Sequence, residues 1–203
     1  MRQNGRVPRV ISYGPQVSNE AELRLCGDPA GKRALELGIS STRNCIALAE
    51  AGAKAIAVDP RGEQIAAARL AAESAGVRVE FHEADLGDLG FATSASVDLV
   101  IAAGTLADTD DLARVLRQAH RVLKPECALI ISTPHPMAAF NGALYGEAPT
   151  RYGTGGVRTI GEWFTSLYRS NFRVDVMLEL FDETRPRDIA PTTLVIRARK
   201  LGV

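Results

Sequence analysis

The chain has no excess of charge of either sign: 24 Lys and Arg are matched by 24 Asp and Glu over 203 residues. That balance removes the electrostatic reason to expect nucleic acid or an anionic membrane as partner, and a small molecule becomes the better expectation. A cysteine framework is missing too. Cys26, Cys45 and Cys127 lie far apart with no C-x-x-C pair, so neither a metal site nor a disulfide scaffold is expected, and a reducing compartment suits them. No apolar run approaches the length that spans a bilayer. Arg2, Arg6 and Arg9 are not followed by an apolar stretch, so no signal peptide is expected and the chain reads as cytoplasmic. Internal repeats and low-complexity tracts are absent as well. The sequence leaves a homodimer open.

What the chain does have is an alternation of short apolar strands and helices within one domain, 1–203. A lead-in helix is expected over 17–26, with residues 1–27 forming an N-terminal cap. Strands are expected at 34–37, 55–59, 77–81, 97–102 and 128–132, with helices near 43–51 and 62–75. A further helix is marked by Leu112, Val115, Leu116, Ala119, Val122 and Leu123 at helical spacing, with Thr109 as its expected cap. Strands that are continuous apolar runs imply a parallel sheet covered on both faces. After the fifth strand the rhythm stops. Residues 134–157 hold three prolines and five glycines without periodicity, the pattern of a lid-like insertion. Thr159 and Glu162 then have capping-box spacing, ahead of Ile160, Trp163, Phe164 and Leu167 on an expected core face. Strands at 172–181 and 192–198 would close the sheet as an antiparallel hairpin.

The chemistry concentrates where strands end. Open parallel sheets bind ligands at the carboxyl ends of their strands. Glu36-Leu37-Gly38 ends the first strand, Asp59 the second, Asp85-Leu86 follow the third, and Ala102-Ala103-Gly104 end the fourth. A carboxylate at the end of the second strand can accept hydrogen bonds from both ribose hydroxyls of an adenosine, and one after the third can meet the adenine amine. Gly38 lets backbone pass close to a ligand. Asp98, at the opposite end of its strand, reads as structural, as do His82 and His120.

From about Tyr13 to Pro136 the chain resembles the class I S-adenosylmethionine-dependent methyltransferases that act on small molecules. The resemblance rests on KRALELG (32–38), AIAVDP (55–60), VEFHEADLGDLGF (79–91), SVDLVIAAGTL (96–106) and LRQAHRVLKPECALIIS (116–132). It implies a doubly wound α/β sheet in the order 3-2-1-4-5-7-6 with the last strand antiparallel, and S-adenosylmethionine as cofactor. Glu36 and Gly38 would then lie under the methionine part, and Ser40, on the same loop, is a further candidate for cofactor binding. Asp59, with Pro60 beside it, would hold the ribose, Asp85 and Leu86 the adenine, and Ala102 the sulfonium side. Tyr13 would cover the cofactor. The implied activity is methyl transfer to an oxygen, nitrogen or carbon nucleophile.

One departure stands out. Where the family has acid-x-Gly-x-Gly-x-Gly, this chain has Glu36-Leu37-Gly38-Ile39-Ser40-Ser41-Thr42. Added Cβ atoms narrow the backbone's options and could crowd the ligand, whereas the hydroxyls could instead cap the next helix. A non-catalytic, methyltransferase-like binding or regulatory module is therefore the alternative expectation. The same loop fails the G-x-G-x-x-G pattern of nicotinamide enzymes at Ser40 and Arg43. His135, leaving the fifth strand between Pro134 and Pro136, is the candidate general base. Tyr145 and Tyr152, in the insertion, are the candidate substrate contacts, with Arg151 and Arg158 as weaker candidates for pairing an anionic substrate.

Overall fold

A computed structural model describes residues 9–138, 140–141, 152, 157–185 and 188–202. Seven strands, β1 (Arg33–Leu37), β2 (Lys54–Asp59), β3 (Val79–Glu83), β4 (Val97–Ala103), β5 (Leu123–Pro134), β6 (Phe172–Leu180) and β7 (Thr193–Lys200), form one sheet in the order β3-β2-β1-β4-β5-β7-β6. β1 to β5 pair in parallel, and β7 runs antiparallel to both β5 and β6. This is the doubly wound sheet, in the strand order, that the family resemblance implies.

Side chains alternate across the strands. Leu35, Leu37, Ile56, Val58, Val100, Ala102, Leu129 and Ile131 share one core with α4 (Leu112–Val122) and α5 (Ile160–Arg169). Their neighbours Ala34, Ala55, Ala57, Leu99, Ile101 and Ile130 face the opposite side, where α2 (Asn44–Glu50) and α3 (Gly62–Ala75) lie. Both faces are buried, so the strands carry no alternation of polar and apolar residues. The same parity has a consequence for the acids. Glu36 and Asp59 fall on the α2/α3 side, with Ala34 and Ala57.

Local details depart from the sequence reading in four places. The lead-in helix contracts to α1 (Glu20–Leu23), because Arg24 turns left-handed at φ 51° and the Glu20 carboxylate accepts the N–H groups of Leu25 and Cys26. Asp111, not Thr109, caps α4, accepting from the Arg114 N–H at 2.9 Å. β5 starts at Leu123, directly where α4 ends, and pairs with β4 across a register shift. On α5, Thr159 and Glu162 form the expected capping box and Trp163 is fully buried, but Phe164 turns outward and is half exposed. A stripe of Trp163 and Leu167 is enough to seat this helix against the sheet.

Of the insertion, residues 134–138, 140–141, 152 and 157 are described. Its root is fixed by Asn141, which is buried. The Asn141 amide donates to the carbonyl of Ala190 and accepts the N–H groups of Ile189 and Ala190.

Candidate functional site

A cleft of about 690 Å³ opens at the carboxyl ends of β1, β2 and β4, a size usual for small-ligand sites. Of the twelve residues singled out from the sequence, Tyr13, Gly38, Ser40, Asp59, Pro60 and Leu86 line it together. A wider, more open depression of about 950 Å³ lies at the opposite end of β1 and β2, between Arg33, Lys54, Arg69 and Phe81. It lies at the amino ends of these strands, whereas open parallel sheets bind ligands at the carboxyl ends, so the cleft at the carboxyl edge is the candidate site.

The loop after β1 is held by Glu36, which is fully buried. One carboxylate oxygen accepts the Ser40 N–H at 3.0 Å, the Ser40 hydroxyl at 2.6 Å and the Asn44 N–H at 3.0 Å; the other accepts the Cys45 N–H at 2.7 Å. The charge therefore sits on the first N–H groups of α2, where helix ends leave donors free and the helix dipole favours an anion. Ser40 and Thr42 extend the network, their hydroxyls lying 3.2 Å apart, and Thr42 donates to Asn44. The hydroxyls at the unusual positions thus work inside the loop. Gly38 has φ +77°, and a Cβ there would come within 2.5 Å of the Thr105 side chain, whose hydroxyl donates to the Leu37 carbonyl. Only glycine fits this turn.

Asp59 is 1% exposed. Burial works to raise its pKa, but the Arg61 guanidinium, the Arg61 N–H and the Ile39 N–H outweigh it and hold the carboxyl below its usual range. The N-terminal segment covers the cleft from above. The Asn44 amide fixes it by accepting the Ser12 N–H and donating to the Ser12 carbonyl. Behind it, the Tyr13 hydroxyl donates to Glu20 and contacts Cys26, so the ring lines the cleft while its polar end faces the core. Burial raises the pKa of Tyr13 and pushes the Cys26 thiol up to about 12.

Four expected residues take other places. Glu36 does not line the cleft, because its two oxygens are occupied by the loop and α2. Ala102 is fully buried one residue short of the cleft, and Ala103 and Gly104 line it instead. Asp85 turns back to accept the Gly87 N–H at 2.8 Å. His135, expected as a general base, is buried away from the cleft lining. Its Nδ1 accepts the Met137 N–H at 3.1 Å, which leaves Nε2 to donate to Glu179 at 2.9 Å. With both ring nitrogens engaged by protein groups, His135 braces the end of β5.

Tyr152 is exposed, its hydroxyl accepting the Ile160 N–H at 3.3 Å. Tyr145 and Arg151 lie outside the described residues. Arg158 meets protein rather than substrate. Its guanidinium donates to the carbonyls of Leu106, Ala107 and Thr109 and stands over the Trp163 ring. It thereby pins the loop after β4, which supplies Thr105, Asp108 and Thr109 to the cleft. Sequence reasoning missed Asn44, Arg61, Thr105 and Asp108. Arg61 and Thr105 could have been suspected from their places just past a strand-end acid and a strand-end glycine.

Residues 35–131 match the family described as "Methyltransferase domain". A ubiquinone biosynthesis O-methyltransferase of Xanthomonas axonopodis pv. citri is 31% identical over 120 residues, covering 59% of this chain and 50% of that protein. The chain spans about half the length of the curated relatives it matches. Among solved structures, an S-adenosylmethionine-dependent methyltransferase from Mesorhizobium loti superposes with a TM-score of 0.73 at 24% identity, covering 89% of this chain and 96% of that one. The [4+2]-cyclase SpnF superposes with a TM-score of 0.71 at 18% identity, over 88% and 78%. These two likenesses establish the fold and leave the reaction to the site. The chain therefore has the fold of the class I S-adenosylmethionine-dependent methyltransferases, and its residues 35–131 match the methyltransferase domain family.

Proposed function

We propose that this chain transfers a methyl group from S-adenosylmethionine to a nucleophile on a small molecule. The observation that carries the reading is Asp59, a buried carboxylate at the end of β2 that faces the cleft beside the tight Gly38 turn. Such an acid suits a ribose diol. The residues present fit the cofactor in other respects. Leu86 offers an apolar wall for an adenine, while Ser40, Gly38 and Gly104 line the floor where an amino-acid tail would run. Tyr13 closes the cleft from above.

Bound S-adenosylmethionine supplies an electrophilic methyl carried on a sulfonium. The protein's part is to align a nucleophile in line with it and exclude water. Thr105 and Thr109 at the cleft wall can position a polar acceptor. Asp108, the cleft-lining carboxylate besides Asp59 among the described residues, is placed to take a proton from an acceptor that must lose one. An oxygen nucleophile is the first acceptor chemistry to screen, since the relatives at about 30% identity are named as O-methyltransferases.

The test is calorimetric titration with S-adenosylmethionine and S-adenosylhomocysteine, with Asp59→Ala and NADH as controls. Micromolar binding that Asp59→Ala abolishes, with silence toward NADH, supports the reading. Silence toward both adenosyl ligands would defeat it and favour the non-catalytic alternative that the departures at Ser40 and Thr42 raise.

A further inference from the structure

The carboxylate proposed to take a ribose is held by the protein itself. Arg61 follows Asp59 by two residues, and its guanidinium grips Asp59 with both edges matched: Nε donates to Oδ1 at 2.9 Å and Nη2 to Oδ2 at 2.9 Å. The Arg61 N–H also donates to Oδ1 at 2.9 Å, and the Ile39 N–H to Oδ2 at 2.8 Å. A carboxylate offers about four acceptor positions, and all are used. The four donors differ in one respect. Two are backbone groups fixed at the ends of β1 and β2, and cannot leave. The other two belong to a side chain that lines the cleft and is 54% exposed, against 1% for Asp59.

A ribose presents two O–H donors on adjacent carbons, the same paired pattern that the guanidinium edge presents. The two therefore compete for one site. Asp59 is too buried to be left half-paired, since an unmet buried acceptor is costly. Arg61 can leave at small cost only if another pair of donors arrives. A second carboxylate, Glu63 in the first turn of α3, also acts on the Arg61 charge, more weakly than Asp59 does.

Resting on the adenosyl reading of the cleft, we propose that Arg61 is a latch on its nucleoside end, occupying the place of the ribose diol and yielding to a ligand that carries one. A latch of this kind lowers apparent affinity by the fraction of molecules in which it is open. A bidentate pair with one half-exposed partner lies near the top of the range for exposed pairs. The expected penalty is about fivefold in Kd, equivalent to about 1 kcal/mol.

The experiment titrates S-adenosylhomocysteine into the wild type, Arg61→Ala and Arg61→Lys, each checked for folding by circular dichroism. Arg61→Ala should bind about fivefold tighter, and Arg61→Lys, which keeps the charge but not the paired donors, should fall between. Raising sodium chloride from 50 mM to 500 mM should tighten the wild type by screening the exposed side of the pair and leave Arg61→Ala unchanged. A wild type that binds while Arg61→Ala binds equally or more weakly would overturn the latch and leave the adenosyl reading standing. No binding by any of the three would defeat that reading, and the latch with it.

Discussion

Replacing Glu36 with Gln tests whether the loop after β1 is held by charge. The side chain keeps its shape and loses one acceptor. Three hydrogen bonds converge on one oxygen, from Ser40 N, Ser40 Oγ and Asn44 N, while Cys45 N at 2.7 Å has the other to itself. A glutamine that keeps the first three must turn its NH₂ toward the Cys45 N–H, setting donor against donor. A hydrogen bond to a charged group contributes about 1.5–3 kcal/mol, and the anion at the N-terminus of α2 about 0.5 kcal/mol more. Glu36 is fully buried, so water cannot replace the lost acceptor. Together these give a loss of about 3 kcal/mol. For a chain of this size each kcal/mol lowers Tm by about 2–4 °C, so a fall of about 6–12 °C is expected in a thermal melt at pH 7. S-adenosylhomocysteine affinity should fall too, because Ser40 and Gly38 line the cleft on the loop that Glu36 braces. A Tm within 2 °C of the wild type would refute the claim that this carboxylate organises the loop.

Gly38→Ala forces a Cβ into the Thr105 side chain at a left-handed φ, a backbone cost of about 1–2 kcal/mol before the clash is counted; calorimetry should show at least tenfold weaker S-adenosylhomocysteine binding. Acid should destabilise the fold through Asp98 and Asp59. For Asp98, burial raises the pKa but the Lys124 ammonium and the Arg33 N–H lower it further, as Arg61 does for Asp59. A folded-state pKa below the unfolded value of about 3.9 means the stabilisation is present above that pH and is lost as pH falls through the folded value. Tm should therefore stay level from pH 7 to about 5 and fall below about 4, with a shallower fall in Asp98→Asn; an identical acid limb in that variant would contradict the assignment. Cys26, pushed up to about 12 chiefly by burial, should resist Ellman's reagent at pH 8 until the protein is unfolded, and rapid labelling of the native protein would show that the Tyr13–Glu20–Cys26 packing is wrong.

The parallel, doubly covered sheet was legible because β1, β2, β4 and β5 are buried on both faces and leave continuous apolar runs, whereas the strand order came from the family resemblance. Helix ends were less legible. Thr109 and Asp111 are both good caps, and what separates them is distant: Arg158, 49 positions along the chain, draws the Thr109 carbonyl into the cleft loop. His135 illustrates a second limit. Its place after β5 suggested a base, but the ring is closed off by Met137, two residues away, and by Glu179 on β6, a strand reached only after the insertion and α5. Asn44 was hidden for a related reason. Nothing around it marks a binding loop, yet its amide fixes Ser12, a segment 32 positions earlier.

Glu36 and Asp59 show what decides the role of a strand-end acid. Both are buried, both fall on the α2/α3 side of the sheet, and both sit within three residues of the tight turn or helix that follows. From sequence both read as acids that face the cofactor. Their donors separate them. Glu36 receives three backbone N–H groups and one hydroxyl from a short side chain, all anchored in the loop and α2, so no ligand can compete for it without unravelling the loop. Asp59 receives two backbone groups and two from a long arginine whose side chain reaches solvent. Only the second arrangement includes donors on a solvent-reaching side chain, and it is on this difference that the proposed exchange of partners rests. The departures at Ser40 and Thr42 fall on the Glu36 side of that division. Ser40 donates into the brace, so its hydroxyl strengthens the acid already committed to structure and makes no contact with the acid proposed to bind.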